Sequence, residues 1–440
     1  MRFLRGPLAF LMLCAVVGPS CGGGGSGGGG GGVPPTFVGV GVAATPSVGT
    51  GAVPAGLSPK FELGLANFDL TWVSGAGVPF KMRSQYLSGG VNTGSGWTTW
   101  NSPAGQFALL YMNASDGAGM IPVFNYYQLR GSSPNVGSEN PDPKLQNPAT
   151  MSAYYAEFKL LMQKCATFNK IVIVHVEPDF WGFCQSTHGS KPENIPVCVA
   201  NTGVAEAAGL NDNLCGFAQL LVKLRDVYAP HPAAPPKVLI AFHASAWGSG
   251  ADLIKNAVDP VTQANAIGGY FTALGANFDL LLHDPADRDA GYYQYFVGDG
   301  GASWWAVPAD FDRYRNYLAR MKTVTGRRGI LWQVPLGNTK MKTGGNIYGH
   351  YQDNRVEYWL DDVPHANVTA YAGAGVMAIL WGAPQDGTTH YDDARGDGIT
   401  NGGPAGTVST VSDDDGGYFR LRAAAYYSTT SGNPGPVTLP

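Results

Sequence analysis

The chain has 440 residues, a formal net charge of −4 and only 14% charged residues. That balance provides no basic stripe to neutralise phosphates, so nucleic acid is excluded as the expected partner. The 62 glycines and 31 prolines imply many ordered turns, and 10 Trp with 21 Tyr leave rings to spare for loops.

Met1-Arg-Phe-Leu-Arg5 is a basic start, and residues 8–17 are an apolar run of signal-peptide type. The run is too short to span a membrane as a helix. Gly18-Pro-Ser-Cys21 follows and resembles a bacterial lipoprotein signal, with Cys21 as the lipidated residue, although Gly18 stands where that pattern usually has Leu. The expectation is an exported chain, either secreted or held at the cell surface or outer membrane by a lipid on Cys21. Any membrane association would run through that anchor alone. The Gly-rich run that follows reads as a flexible tether. Its formal G-x-S-x-G is composition and implies no hydrolase nucleophile. Residues 22–60 are thus tether and extended lead-in, and 61–440 one catalytic domain, expected to act as a monomer.

Regular alternation starts near residue 61. Strand-like apolar runs fall at 80–86, 120–127, 171–176, 238–243, 278–283, 329–334 and 376–381. Helical spacing occupies 149–168, 205–228, 308–323, 351–362 and 417–427. Seven strands with helical crossovers predict an α/β fold, a distorted TIM-like parallel β/α barrel, closed or nearly closed. A doubly wound open sheet is the alternative.

Four cysteines follow Cys21. In an exported chain they are expected to pair, Cys184 with Cys198 across a polar loop and Cys165 with Cys215, one of three possible connectivities. No C-x-x-C or H-E-x-x-H is present, so no zinc is expected, and no cofactor.

The strand at 171–176 ends in Glu177-Pro-Asp179, followed by Phe180 and Trp181. Carboxylates delivered at the C-terminal end of a parallel strand suit proton transfer, and the aromatics offer a face for a sugar. Glycoside hydrolysis needs one protonated carboxyl and a second carboxylate acting as nucleophile or water activator. Two residues apart, Glu177 and Asp179 would share a side if the strand persists. Asp386 in Gln-Asp-Gly-Thr, after the last strand, is the candidate from elsewhere, though a turn residue would read the same. Other strand ends are polar or aromatic as well, as an active-site rim requires: Arg83-Ser-Gln-Tyr86, Asn125-Tyr-Tyr-Gln128, His243-Ala-Ser-Ala-Trp247, His283-Asp284, Gln333 and Trp381.

These segments resemble glycoside hydrolase family 6, the inverting cellulases and cellobiohydrolases. Glu177-Pro-Asp179 is similar to that family's V-I-E-P-D, and Ala241-Phe-His-Ala-Ser-Ala-Trp247 to its A-G-H-A-G-W. Leu331-Trp-Gln333 and Gly337 sit where the family has D-Q-G-R-S-G. Trp381-Gly-Ala-Pro-Gln-Asp-Gly-Thr388 resembles W-V-K-P-G-G-E-x-D-G-T. The order agrees over roughly residues 78–430, and the family's barrel has seven strands. The resemblance implies an exported hydrolase of β-linked glucan or a related polysaccharide, working with inversion. Asp179 would be the general acid, Glu177 its supporting neighbour and Asp386 the base. His243, Trp247 and Trp381 would surround the cut, with Tyr126 and Gln333 lining the floor.

The chain departs from the family in several places. Asn125-Tyr-Tyr-Gln-Leu-Arg130 holds no acid where the family has Y-D-L-P-D-R-D. Gly382 replaces a Lys, Pro384 or Gln385 a Glu, and Ile240 stands near a missing Asp. Two alternatives follow: a surface glycan-binding protein that lost turnover, or a glycosidase of another barrel family using Glu177 as acid. His175 could set carboxylate protonation, although a packed strand histidine is the commoner case. His283-Asp284 and Asp287-Arg-Asp289 could line the mouth or bind calcium, with a salt-bridged surface loop the plainer reading, and the acidic runs at 392–397 and 413–415 resemble loose oxygen-ligand loops for calcium that lack the full EF-hand pattern. Trp97, Trp100, Trp304 and Trp305 read either as sugar platforms or, at least as readily, as core or loop-anchoring residues.

Overall fold

The structure, a computed structural model, describes residues 35–66, 70–230, 237–286, 288–339, 352–382, 390–391, 407–408, 418–430 and 432–440, with backbone alone at 295–296, 390–391 and 407–408. Eight parallel strands close a barrel in chain order: β1 Glu62–Ala66, β2 Met82–Leu87, β3 Ile121–Tyr126, β4 Val172–Val176, β5 Val238–Ala244, β6 Leu280–His283, β7 Gly329–Val334 and β8 Val376–Trp381. The β/α-barrel expectation holds, and the count of seven strands is corrected to eight. The strand missed by periodicity is β1, only five residues long with a glycine at its centre. Gly64 is required there, because a Cβ would lie 2.5 Å from Leu380 and 2.7 Å from the Met82 Cβ. The strand pairs with β8 on one side and β2 on the other, and so closes the cylinder.

The register assigns each side chain to the barrel interior or to the helix layer. Parallel partners share a face, and successive residues alternate. Tyr86 pairs with Asn125, Asn125 with His175, His175 with Ala241, His243 with Leu282, and Leu282 with Ile330. These residues form the inward set. The outward set meets the helices: Phe242 packs 5.0 Å from Trp181 and 5.0 Å from Phe271, ring to ring. Burying each such ring contributes about 1.5–3 kcal/mol, which is what holds the helices on the cylinder.

Helix starts follow capping chemistry. Asn147 accepts the Thr150 amide at 3.1 Å ahead of helix Pro148–Phe168, with proline in the first turn. Asn213 accepts the Gly216 amide at 2.9 Å, so the next long helix runs Leu214–Tyr228. The expected start at 205 is instead a short 3₁₀ turn, Ala205–Ala207.

The lead-in at 35–60 is laid against the domain. The amides of Gly49 and Gly51 donate to the carbonyls of Thr325 and Gly326, and Phe61 N donates to Val437 O. The disulfide expectation is corrected: Cys165, Cys184, Cys198 and Cys215 are all buried free thiols. Each lies within packed structure, and the Cys215 thiol is engaged with the Ala273 carbonyl at 3.4 Å. Burial pushes the Cys198 and Cys215 thiols up to about 11, so both stay protonated at neutral pH.

Candidate active site

At the C-terminal end of β4 the backbone leaves strand geometry, with φ of 48° at Glu177 and 66° at Asp179. Non-glycine residues avoid this region, and such strain concentrates at functional sites. The two turns also break the alternation that would have set both carboxylates on one side. Glu177 is wholly buried under the loop after β3, where its carboxyl accepts the amides of Gln128 at 2.9 Å and Leu129 at 3.3 Å. Burial raises its pKa to about 8, against the lowering effect of those amides, Tyr154 and Lys144. Asp179 instead precedes helix Phe180–His188, and its side chain is 37% exposed at the barrel mouth.

Behind Asp179 a line of polar groups runs into the barrel. His243 Nε2 stands 3.6 Å from Asp179 Oδ1. His243 Nδ1 lies 3.0 Å from His175 Nε2, and His175 Nδ1 lies 3.0 Å from Asn125 Oδ1. All three are buried. Trp332 closes the line edge-on, 4.9 Å from the His175 ring and 5.6 Å from the His243 ring. Burial, then the neighbouring His243, holds His175 well below its ordinary range. Burial, then His283, pushes His243 down to about 3, so both rings are neutral at physiological pH. His283 itself lies on the outer face, its ring 5.9 Å from Tyr317.

The rim around Asp179 is aromatic and polar. Tyr86 and Tyr127 are half-buried with ring centroids 6.0 Å apart, and Tyr86 also meets Trp332 at 5.9 Å. Gln333, at φ 56°, donates from Nε2 to the Tyr86 hydroxyl at 2.9 Å. Burial raises both phenols, and Asp179 adds to the rise at each. On the other flank half-buried Trp247 rests on Phe183 at 4.9 Å. Gly182 makes that approach possible, since a Cβ would come within 2.8 Å of the Trp247 ring. Among the described residues no group of three or more His, Cys, Asp or Glu side chains converges to hold a metal ion.

The structure gathers Asp179, Gln333 and Trp247 at the mouth, seats His243 wholly buried behind Asp179 and not on the rim where it was expected, and disperses other expected residues. Tyr126 faces the helix layer, its ring 5.4 Å from Tyr154 and 5.2 Å from Phe158, and Tyr127 stands at the rim instead. Trp381 follows inward-facing Leu380 and therefore points outward, where it is wholly buried against Phe419 and Trp359. Trp181 is buried too, donating its Nε1 to the Val176 carbonyl at 3.0 Å. Asp386, Cys21, Asp287 and the acidic runs lie outside the described residues. Trp97 and Trp305 are core residues. Tyr86 and Tyr127 fell within the expected rim segments without being singled out, and Trp332 was missed. Their only signal was position at a strand end, and the parity that turns them inward comes from strand register.

An eight-stranded parallel β/α barrel with a part-exposed carboxyl and buried imidazoles at the C-terminal ends of its strands defines the class: a TIM-like barrel. No protein-family model and no curated protein matches this chain. Among solved structures it is similar to a fungal β-1,4-galactanase at 12% identity and TM-score 0.42, over 74% of this chain and 90% of that one. It is also similar to the cellobiohydrolase of Chaetomium thermophilum at 11% and 0.36, over 78% and 86%, and to an endo-β-1,4-mannanase of Cellulomonas fimi at 11% and 0.40, over 78% and 66%.

Proposed function

We propose that this protein is an exported glycoside hydrolase acting on β-linked glucan or a related polysaccharide, with Asp179 as general acid. One observation carries the reading. Asp179 is the part-exposed carboxyl at the mouth, with His243 behind it, Tyr86 and Tyr127 within electrostatic reach, and Trp247 seated on Phe183 of the helix that Asp179 precedes. A pyranose lying against Trp247 would bring its glycosidic oxygen to the Asp179 carboxyl. The O–H bond of Asp179 breaks as the oxygen of the departing sugar gains the proton.

Glu177 supports this assignment by its burial, since a carboxyl sealed under a loop and bonded to two backbone amides has no path to substrate. Asp386, carried on the segment after β8, is proposed as the base that activates water. Inversion then requires acid and base carboxyls about 6.5–9.5 Å apart. The N-terminal basic and apolar segment supports export, with Cys21 as the lipid attachment point.

The test is release of reducing ends from soluble β-glucans by the wild-type chain and by Asp179→Asn, with anomeric configuration followed by NMR. Turnover in wild type, lost in the variant, with an inverted product, is expected. Calorimetric binding of oligosaccharides with no turnover over long incubation would make the chain a glycan-binding protein. Activity surviving Asp179→Asn and lost in Glu177→Gln would move the acid to Glu177.

A further inference from the structure

The line from Asn125 to Asp179 has a direction. The Asn125 carbonyl oxygen faces His175 Nδ1 at 3.0 Å and can only accept, so that nitrogen carries the hydrogen. A neutral imidazole has one N–H, so His175 Nε2 is a bare acceptor. It faces His243 Nδ1 at 3.0 Å, which must then be the donor. His243 Nε2 is left with a lone pair, buried and without a hydrogen-bond partner among the described residues, 3.6 Å from Asp179 Oδ1. A carboxylate placed against that lone pair is repelled, whereas a protonated carboxyl can donate to it.

We propose that Asn125, His175 and His243 form a neutral, one-directional hydrogen-bond chain that presents an acceptor to Asp179 and keeps its carboxyl protonated until the leaving group takes the proton. This rests on Asp179 being the general acid. The three are positioning residues: they act through Asp179 and do not touch the sugar. Within the His243–Asp179 pair the proton sits on the carboxyl and not on the imidazole, because His243 is wholly enclosed and its protonation would leave a buried cation. Inside the barrel, His243 faces His175 from β4 and the uncharged Trp332 ring from β7, and His283 of β6 is turned to the opposite face. Around Asp179 stand Tyr86 and Tyr127, both kept as neutral phenols by burial, with Asp284 and Arg288 acting on Tyr86 from farther along the rim.

The direction would reverse if the Asn125 amide were turned over, so the decisive measurement reads the tautomers themselves. In the full-length chain labelled with ¹⁵N-histidine, two-bond proton–nitrogen correlations at pH 7 should show His175 and His243 neutral, each with its proton on Nδ1. Their signals are assigned by loss in His175→Gln and His243→Gln. A proton on His243 Nε2, or an imidazolium, overturns the proposal. This readout needs no activity, so it stands apart from failure of the glycosidase reading. The infrared carbonyl band of a protonated carboxyl at pH 7, lost in Asp179→Asn, should accompany it, and its absence also overturns the proposal. In the active enzyme, His243→Phe should move the alkaline limb of the kcat/KM profile down by about one pH unit or more while KM holds. The conservative His243→Gln, which keeps an acceptor, should recover part of that shift. An unmoved limb in His243→Phe would mean that the chain exists but does not hold Asp179.

Discussion

The Glu177 carboxyl accepts the Gln128 backbone amide at 2.9 Å, so the residue that ends β4 pins the loop that leaves β3. Tyr127, which forms part of the rim, belongs to that loop. Removing the carboxyl in Glu177→Ala leaves the Gln128 and Leu129 amides buried and unpaired. A loss of about 2–4 kcal/mol in urea unfolding is expected, with Glu177→Gln within about 1 kcal/mol of wild type. Equal stability of Glu177→Ala and wild type would mean the loop is held by other contacts.

The same residue predicts a pH dependence. Its pKa rises from an ordinary 4.5 to about 8 on folding, so the folded state binds the extra proton between those values. Its contribution is therefore full below about 4.5 and is lost as pH climbs through about 8. Wild-type stability should fall across that window relative to Glu177→Gln, in paired denaturation curves taken every half unit. A parallel pair of curves would show that Glu177 is ionised in the fold.

Two tryptophans separate binding from packing. Trp247 lies half-buried on Phe183 at the mouth, and Trp381 is sealed between Phe419 and Trp359. Trp247→Ala is expected to raise KM about tenfold with little change in melting temperature. Trp381→Ala is expected to cost about 3–5 kcal/mol of stability. Exchange of the two phenotypes would place the sugar on the opposite side of β8.

Gln333 and Tyr86 act as a pair across the mouth, joined by a hydrogen bond of 2.9 Å. A double-mutant cycle with Tyr86→Phe and Gln333→Ala should return a coupling of about 0.5–1.5 kcal/mol in unfolding free energy. Additive losses would show that the contact contributes nothing.

The thiols give a chemical check on the fold. Cys165, Cys184, Cys198 and Cys215 are buried and unpaired. Native protein should leave these four unlabelled by a thiol reagent, denatured protein should expose them, and dithiothreitol should not shift the melting temperature. A drop of several degrees with reductant would reveal a disulfide.

The amino-acid sequence by itself determined the seven strands with clear apolar runs, the barrel they imply, and the placing of Asp179 and His243 at strand ends. Those are local properties: hydrophobic period, capping residues and the polar step where a strand ends. It missed β1, because five residues around Gly64 are too short to show a period. Only the tertiary structure decided which face each residue takes. Side chains alternate every residue, so a strand boundary read one position off turns the whole set over, and register is set by the neighbouring strands. That is why Tyr127 and not Tyr126 reaches the rim, why Trp381 points into the helix layer, and why Glu177 and Asp179 part company. It is also why Asn125, His175 and His243, on three different strands, line up behind one carboxyl: a contact across strands has no period in the sequence to reveal it.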